Sequence, residues 1–440
     1  MRLRQILPQV NTIIIKTSKL GLKELIAIGV GGMIGGGIFS VMGLAVDITG
    51  NATPIAFLLG GLLALIMGYS YVKLAVAFHS DGASFTYLEH AFPEHRFIGA
   101  LTGWTVIIGY IGTLALYAFT FGAYGAELLG EPDGIVRQIL SVGIVLFFMM
   151  INLIGTKTLG KTEDIIVYGK IILLGLLAFA GMQGIEAQRL TPVFDHGFLS
   201  VFMAAALIFV AYEGFQLITN GVCETENPTK NIARGIYGSI AIVTLIYVIL
   251  SVISIGSLSQ AELVAAEEYA LAVAAEPSMG SAGHILVSIA ALLATASAIN
   301  ATLFGASRMM AEMATEHEMP SAFSFRNRET VPWIAVVTLT FLTILFTYFG
   351  DLELIASFSS LTFLLVSLAV NMANYKLRSY TKSNPFYIIL GMLLVLFTIG
   401  TLVVYLVMHS PEKLMWILSV YTMLIFFEAS YKWFTGNAKT

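Results

Sequence analysis

The sequence predicts an all-α polytopic membrane protein of about twelve spans, the first and sixth of them interrupted. Three observations predict it. Hydrophobic residues make up 57% of the 440 and charged residues 11%, against roughly 25% charged in a soluble domain. Apolar runs of about 20 residues recur along the whole chain, each long enough as a helix to cross a bilayer. Within the first of them, Gly29 to Phe39 reads GVGGMIGGGIF, six glycines in eleven residues. Each glycine costs a helix roughly 1 kcal/mol against alanine, so the run is expected to break there.

Taken in order, the expected spans are 22–46, 54–78, 97–128, 136–154, 163–183, 198–219, 235–256, 283–311, 333–350, 353–374, 385–408 and 412–433. Lys and Arg set the orientation. With the N-terminal segment inside, Arg2, Arg4, Lys16, Lys19, Lys23 and the basic residues of alternate loops fall on the cytoplasmic side, leaving Arg137, Arg189 and Lys413 outside. Both termini are therefore expected in the cytoplasm of a multi-pass cell-membrane protein. Lys73 and Arg308 fall at cytoplasmic helix ends, where they can snorkel. The expected organisation is a cytoplasmic segment 1–21, five spans over 22–183, five over 198–374, two more over 385–433 and a cytoplasmic end at 434–440. The two sets of five start on opposite sides and so have inverted topology.

Three loops do more than connect. His79 to Arg96 is polar and is expected to hold an interfacial helix. Leu258 to Ser281 carries Glu262, Glu267, Glu268 and Glu276 in an alanine-rich pattern that predicts short helices outside, a candidate lid. Gly221 to Arg234 is polar, and Pro228 is expected to end any helix there.

The sequence excludes several classes. Net charge is -4 and the basic residues lie in short loops, so nucleic acid is not an expected partner. Cys223 is the single cysteine, the seven histidines show no HxxxH spacing, and no Walker A sequence occurs. Neither a metal, another cofactor nor an ATP motor is expected, and no acid/base cluster points to an enzyme. The N-terminus lacks an apolar stretch followed by a small-residue cleavage site, so no removable signal peptide is expected. Asn51-Ala52-Thr53 forms a sequon, a weak three-residue match.

In lipid, freed backbone groups survive only where protein buries them or a cavity is lined by them. The first interruption therefore reads as a site. A half-helix starting near Ile38 would aim the N–H groups of Gly36, Gly37 and Ile38 at a carboxylate, while one ending near Met33 would offer carbonyls to an ammonium. An amino acid carries both groups. The alternative is that the glycines only let helices pack closely. A second interruption falls in span six, where Phe209 to Phe215 reads FVAYEGF. Breaks at matching positions of two inverted halves point to a transport site at their interface.

Lys170 lies about 12 Å into span five at 1.5 Å per residue. A lysine this deep costs about 2.5 to 3.5 kcal/mol on insertion and is expected to be functional. It reads as a proton carrier standing where a coupling cation would sit, or as a structural ion pair with an acid from another span. Glu213 reads as a contact to a substrate ammonium, a selector for cationic substrates, a second protonation site, or a cap on backbone N–H groups freed by the break. In span eight, Thr295, Ser297 and Asn300 could offer oxygens to the cation or serve only as packing. Phe209, Tyr212 and Phe215 could shut the site or belong to the core.

On IGGGIF in span one, DGASFTYLEHAF after span two, FVAYEGF in span six, the ETENPTKNIARGI loop and SAINATLFGASRMMAEMATEHEMP, the chain resembles the amino acid-polyamine-organocation superfamily, and within it the proton-coupled amino-acid transporters. The resemblance implies the LeuT-like fold of two inverted five-helix repeats plus two helices, with alternating access around a midplane site. It also implies that Gly36 and Gly37, with Gly35 and Ile38 beside them, bind a substrate carboxylate, and that the carbonyls of Met33, Val210 and Glu213 receive its amino group. Lys170 matches a lysine that fills a sodium position, with Ser297, Thr295 and Gly31 around it, so the implied coupling ion is H⁺ rather than Na⁺. Relatives often carry a bulky aromatic where Val210 stands, so Phe209 or Tyr212 is the expected gate. The expected function is a proton-coupled amino-acid importer. The alternatives are an amino-acid or amine exchanger and, from another class, a sensor or channel; the oligomeric state stays open.

Overall fold

The computed structural model of the chain describes residues 20–80, 83–94, 96–131, 134–154 and 159–437. Most of the expected cytoplasmic segment 1–21 and residues 438–440 lie outside the described residues, as does the loop 155–158. The remainder is all helix and connecting loop. In order these are α1 (Leu22–Met33), α2 (Gly37–Thr49), α3 (Thr53–Phe78), α4 (Ala83–Ala91), α5 (Arg96–Leu128), α6 (Ile135–Ile154) and α7 (Leu159–Gly181). Then follow α8 (Phe198–Leu207), α9 (Pro228–Ser257), α10 (Gln260–Ala265), α11 (Ala270–Val273) and α12 (Glu276–Thr315). The last are α13 (Trp333–Phe349), α14 (Leu352–Lys376), α15 (Arg378–Thr381), α16 (Pro385–His409) and α17 (Pro411–Asn437).

Helix starts follow local chemistry. Glu24 accepts the Gly21 N–H at 3.0 Å before α1, and Asp351 accepts the Leu354 N–H at 2.8 Å to open α14. Asn384 accepts the Phe386 N–H at 2.9 Å beside Pro385 at the start of α16. Each side chain satisfies a donor that the first helical turn leaves over. Pro228 begins α9 and does not end a helix, so the expectation for that loop fails. At a first helical position the missing N–H is an orphan in any case. The same proline rule therefore reads in either direction, and α9 starts seven residues before the expected 235. The polar 79–96 segment holds α4, and the alanine-rich one folds as α10, a 3₁₀ turn at Glu267–Tyr269 and α11.

Among the described residues, ten stretches are long and apolar enough to cross a membrane, and Gly37–Phe78 forms one of them. The 12 residues of α1 and the 17 of α13 are too short by that measure. The chain is a multi-pass membrane protein. α3 packs on α9, and α1 packs on α9 and on the 3₁₀ segment Phe215–Glu224; α5 packs on α6, α12 and α14, and α7 on α12. α6, α16 and α17 form the rim and expose Met150, Leu393, Met423 and Phe426, a surface suited to lipid rather than water. α17 is keyed to α5 by the Trp104 indole, which donates to buried Glu428 at 2.9 Å.

Candidate functional site

The glycine cluster stops α1 at Met33, and α2 starts at Gly37 after a bend over residues 34–36. In the sixth apolar stretch α8 stops at Leu207, a 3₁₀ turn covers Ile208–Tyr212, Glu213 is extended, and Gly214 has φ +129° before the 3₁₀ segment Phe215–Glu224. The two interruptions lie against each other. A Cβ on Gly214 would fall 2.3 Å from the Gly32 carbonyl carbon, and one on Gly37 would fall 2.6 Å from the Ala211 Cα. Glycine is required at both, for backbone approach, and at Gly214 also for its left-handed φ.

Interrupted helices leave backbone groups that must find partners, and each interruption is served from other helices. The Tyr247 hydroxyl of α9 lies 2.8 Å from the Met33 carbonyl and 3.0 Å from that of Ala211, its single proton shared between them. Ser360 of α14 accepts the Val210 N–H at 2.8 Å and donates to the Leu207 carbonyl at 2.6 Å. Gln216 accepts the Gly214 N–H at 3.0 Å and donates to the Glu213 carboxylate at 2.6 Å. The Val210 and Gly214 amides are thus held by Ser360 and Gln216, and the Glu213 carboxylate by Gln216.

Lys170 is buried, and its ammonium donates to the Ile34 carbonyl at 3.0 Å and the Gly31 carbonyl at 3.4 Å. These acceptors belong to the end of α1, where unpaired carbonyls and the negative end of the helix dipole favour a cation. The structure therefore brings Lys170, Gly31 and the first interruption together. The neighbouring acids Glu163 and Asp164 lie outside the residues whose side chains are described.

Gly35 and Gly36 face the Tyr117 ring of α5, whose hydroxyl donates to the Gly32 carbonyl at 3.4 Å. Ile38 is fully buried, and Ser40 donates to the Gly36 carbonyl at 2.8 Å. Phe209 and Val210 are buried beside the second interruption. Tyr212 is also buried; it donates to the Phe57 carbonyl at 2.5 Å and sets its ring edge-on to Tyr247 at 5.3 Å. Thr295 spends its hydroxyl on the Ala291 carbonyl of its own helix at 2.7 Å, and Ser297 is half-buried. Asn300 accepts from Asn152 of α6 at 3.0 Å. Sequence reasoning missed Tyr247, Ser360, Gln216 and Tyr117; of these, Gln216 alone, an amide three residues beyond Glu213, stood out from its apolar surroundings.

Two cavities bear on the site and on the α10–α11 end. One of about 300 Å³ is bounded by Tyr71, Tyr110, Gln216, Phe304, Arg308 and Phe363. The other, about 280 Å³ at the end carrying α10 and α11, is lined by Asp47, Glu267, Glu268, Asp351, Glu353 and the cations Arg137 and Lys413. Arg137 pairs with Glu268 at 3.2 Å, and Lys413 with Asp351 at 3.0 Å. Burial pushes the Glu268 carboxyl above its usual range, with Arg137 opposing. At this end the Asn51 amide is engaged on both sides, donating to the Pro192 carbonyl at 3.0 Å and accepting from Gln260 at 2.8 Å.

A family model described as "Amino acid permease" matches residues 20–427. The chain is 34% identical over 394 residues to the uncharacterized protein MJ0609 of Methanocaldococcus jannaschii, covering 87% of this chain and 89% of that protein. It is 30% identical over 401 residues to the inner membrane transport protein YbaT of Escherichia coli, covering 91% and 93%. It is 31% identical over 332 residues to the serine/threonine exchanger SteT of Bacillus subtilis, covering 72% and 74%. A match spanning nearly the whole chain, laid over two abutting helix interruptions, makes this protein a member of the amino acid permease family of the APC superfamily, an amino-acid transporter and not an enzyme.

Proposed function

We propose that the protein is a proton-coupled amino-acid importer working by alternating access, within the APC superfamily resembling the archaeal transporter ApcT. In this reading the chain has twelve spans, with α1 and α2 as the first, the stretch from α8 to Glu224 as the sixth and α13 as the ninth. Residues 22–183 and 198–374 form the two inverted repeats of a LeuT-like fold, followed by 385–433. Both termini face the cytoplasm of the cell membrane in this reading, which the Lys and Arg asymmetry supports.

The substrate carboxylate binds at the N-terminal end of α2, on Gly35, Gly36, Gly37 and Ile38, where a helix start favours an anion. Its ammonium is received by carbonyls of Met33, Val210 and Glu213, while Phe209 and Tyr212 close over it. Spans one, two, six and seven rock against the rest. Protonation of Lys170, with Gly31, Thr295 and Ser297 around it, closes the path between spans one, five and eight.

The observation that carries the reading is the Lys170 ammonium on the carbonyls of Ile34 and Gly31, 3.0 and 3.4 Å away. A buried positive charge set against the end of the first half-helix supports a coupling role for Lys170. Uptake of labelled amino acids into proteoliposomes, under an imposed pH gradient and then a sodium gradient, tests it. Uptake driven by the pH gradient is expected, and Lys170→Ala is expected to stay folded but lose accumulation. Accumulation by Lys170→Ala against a pH gradient would remove Lys170 as the carrier.

One relative, SteT, is a serine/threonine exchanger, which favours exchange as the second reading. Exchange requires an amino acid on the far side and ignores the pH gradient, so the same liposomes preloaded with substrate separate the two.

A further inference from the structure

The cavity of about 300 Å³ between α5, α12, α14 and the segment Phe215–Glu224 adjoins the second interruption. Gln216, which holds the Glu213 carboxylate at 2.6 Å, forms part of its wall, so the cavity begins where the second interruption ends. Among the described residues, Arg308 and Glu312 supply its charges. They stand four residues apart on α12, one helical turn along the same face. The Arg308 guanidinium lies over the Phe304 ring, 3.2 Å from the centroid, and gives one N–H to the Phe304 carbonyl at 3.3 Å. A guanidinium carries five such donors in a planar fork that fits a carboxylate. Phe304 and Phe363 add apolar wall.

Gly305 is the second, independent observation. It sits mid-helix, where glycine weakens a helix, and a Cβ built on it meets nothing within 4 Å. Close packing therefore does not require glycine there, as it does at Gly37. What the missing side chain leaves is room in the cavity wall between Phe304 and Arg308.

We propose that this cavity is a second amino-acid site, a release station in which Arg308 holds the carboxylate of the departing zwitterion. The proposal rests on the transport reading. It gives the leaving substrate a partner for its carboxylate after the interruption lets go, at the end of α12 opposite the α10 and α11 helices.

Equilibrium binding of tritiated L-serine, L-leucine and L-lysine to the purified full-length protein tests it, alongside uptake into proteoliposomes. For any of the three that is transported, wild type is expected to bind two molecules per chain, Arg308→Gln one, and Gly305→Leu one. Gly305→Leu fills the cavity without touching a charge, and it decides the matter alone if Arg308→Gln does not fold. Arg308→Lys is expected to keep the second site with affinity lowered about tenfold, since a point charge replaces the fork. One-site binding by a wild type that transports, or a second site retained in either blocking variant, overturns the proposal and leaves the transport reading standing. Failure of wild type to bind or transport any of the three overturns both.

Discussion

The Tyr247 hydroxyl stands 2.8 Å from the carbonyl of Met33, the last residue of α1, and reaches the Ala211 carbonyl of the second interruption at 3.0 Å. One side chain of α9 therefore spans both gaps in the helical ladder. Those carbonyls are also the kind a substrate ammonium would use. Tyr247 accordingly holds the two interruptions in register, and in the proposed function its hydroxyl would share those carbonyls with the substrate amine.

Tyr247→Phe keeps the ring contacts to Phe57 and Tyr212 and removes the bridge. A cross-helix hydrogen bond in a membrane protein is worth about 0.6 kcal/mol and at most about 1.7. A stability loss of that size is expected in thermal unfolding of the purified protein, together with a raised KM for uptake. Unchanged values of both would mean that the two carbonyls do not depend on Tyr247.

Glu213→Gln keeps an acceptor for Gln216 and removes the charge. Because the Val210 and Gly214 amides are bonded to Ser360 and Gln216, the substitution is expected to leave stability within about 1 kcal/mol of wild type, the cost of a typical hydrogen bond. If the carboxylate selects for positive side chains, uptake of L-lysine relative to L-leucine falls about tenfold, a difference near 1.4 kcal/mol. An unaltered ratio in competition uptake would deny Glu213 a part in selection.

Gly214→Ala imposes a side chain on a residue at φ +129° and on the backbone of Gly32. The backbone strain alone costs about 1 to 3 kcal/mol, and the overlap adds to it, so loss of a monodisperse peak on size exclusion is expected. Gly143→Ala, where a Cβ meets nothing within 4 Å, is the control. In an exposed helix it is expected to be silent or stabilising by about 0.5 to 1 kcal/mol.

Glu268 gives a pH dependence with a definite sign. Burial raises its carboxyl above 4.5 against the opposing Arg137, so the folded state binds this proton more tightly than the unfolded chain. The native state is then favoured while Glu268 is protonated, and that contribution is lost as pH rises from 4.5 through the raised value. Melting temperatures across the weakly acidic range should decline with pH more steeply for wild type than for Glu268→Gln. Parallel curves would show that Glu268 titrates like a free carboxylate.

The outline of the site was legible from local rules. Clustered glycines oppose a helix wherever they occur, and a lysine flanked by Ile, Leu and Gly deep in an apolar run is conspicuous without any structure. The partners were not legible. Tyr247 and Ser360 look like ordinary residues of membrane helices, and their roles arise from contacts to chain 36 and 150 residues away. Pro228 was misread because a proline signals a boundary without saying which side of it is helical. Asn51 matched a modification signal, but the structure spends its amide on Pro192 and Gln260, a use that no three-residue pattern encodes.

The contact of Gly32 with Gly214 has a mate at the far end of the same two segments. There the Leu20 N–H donates to the Glu224 carbonyl at 2.8 Å and the Glu226 N–H to the Leu20 carbonyl at 2.9 Å. α1 and the segment Phe215–Glu224 thus meet main chain to main chain near both ends, by close approach at Gly32 and Gly214 and by hydrogen bonds at Leu20. In the proposed rocking the two segments are then expected to move together, as a paired door leaf rather than as two independent flaps.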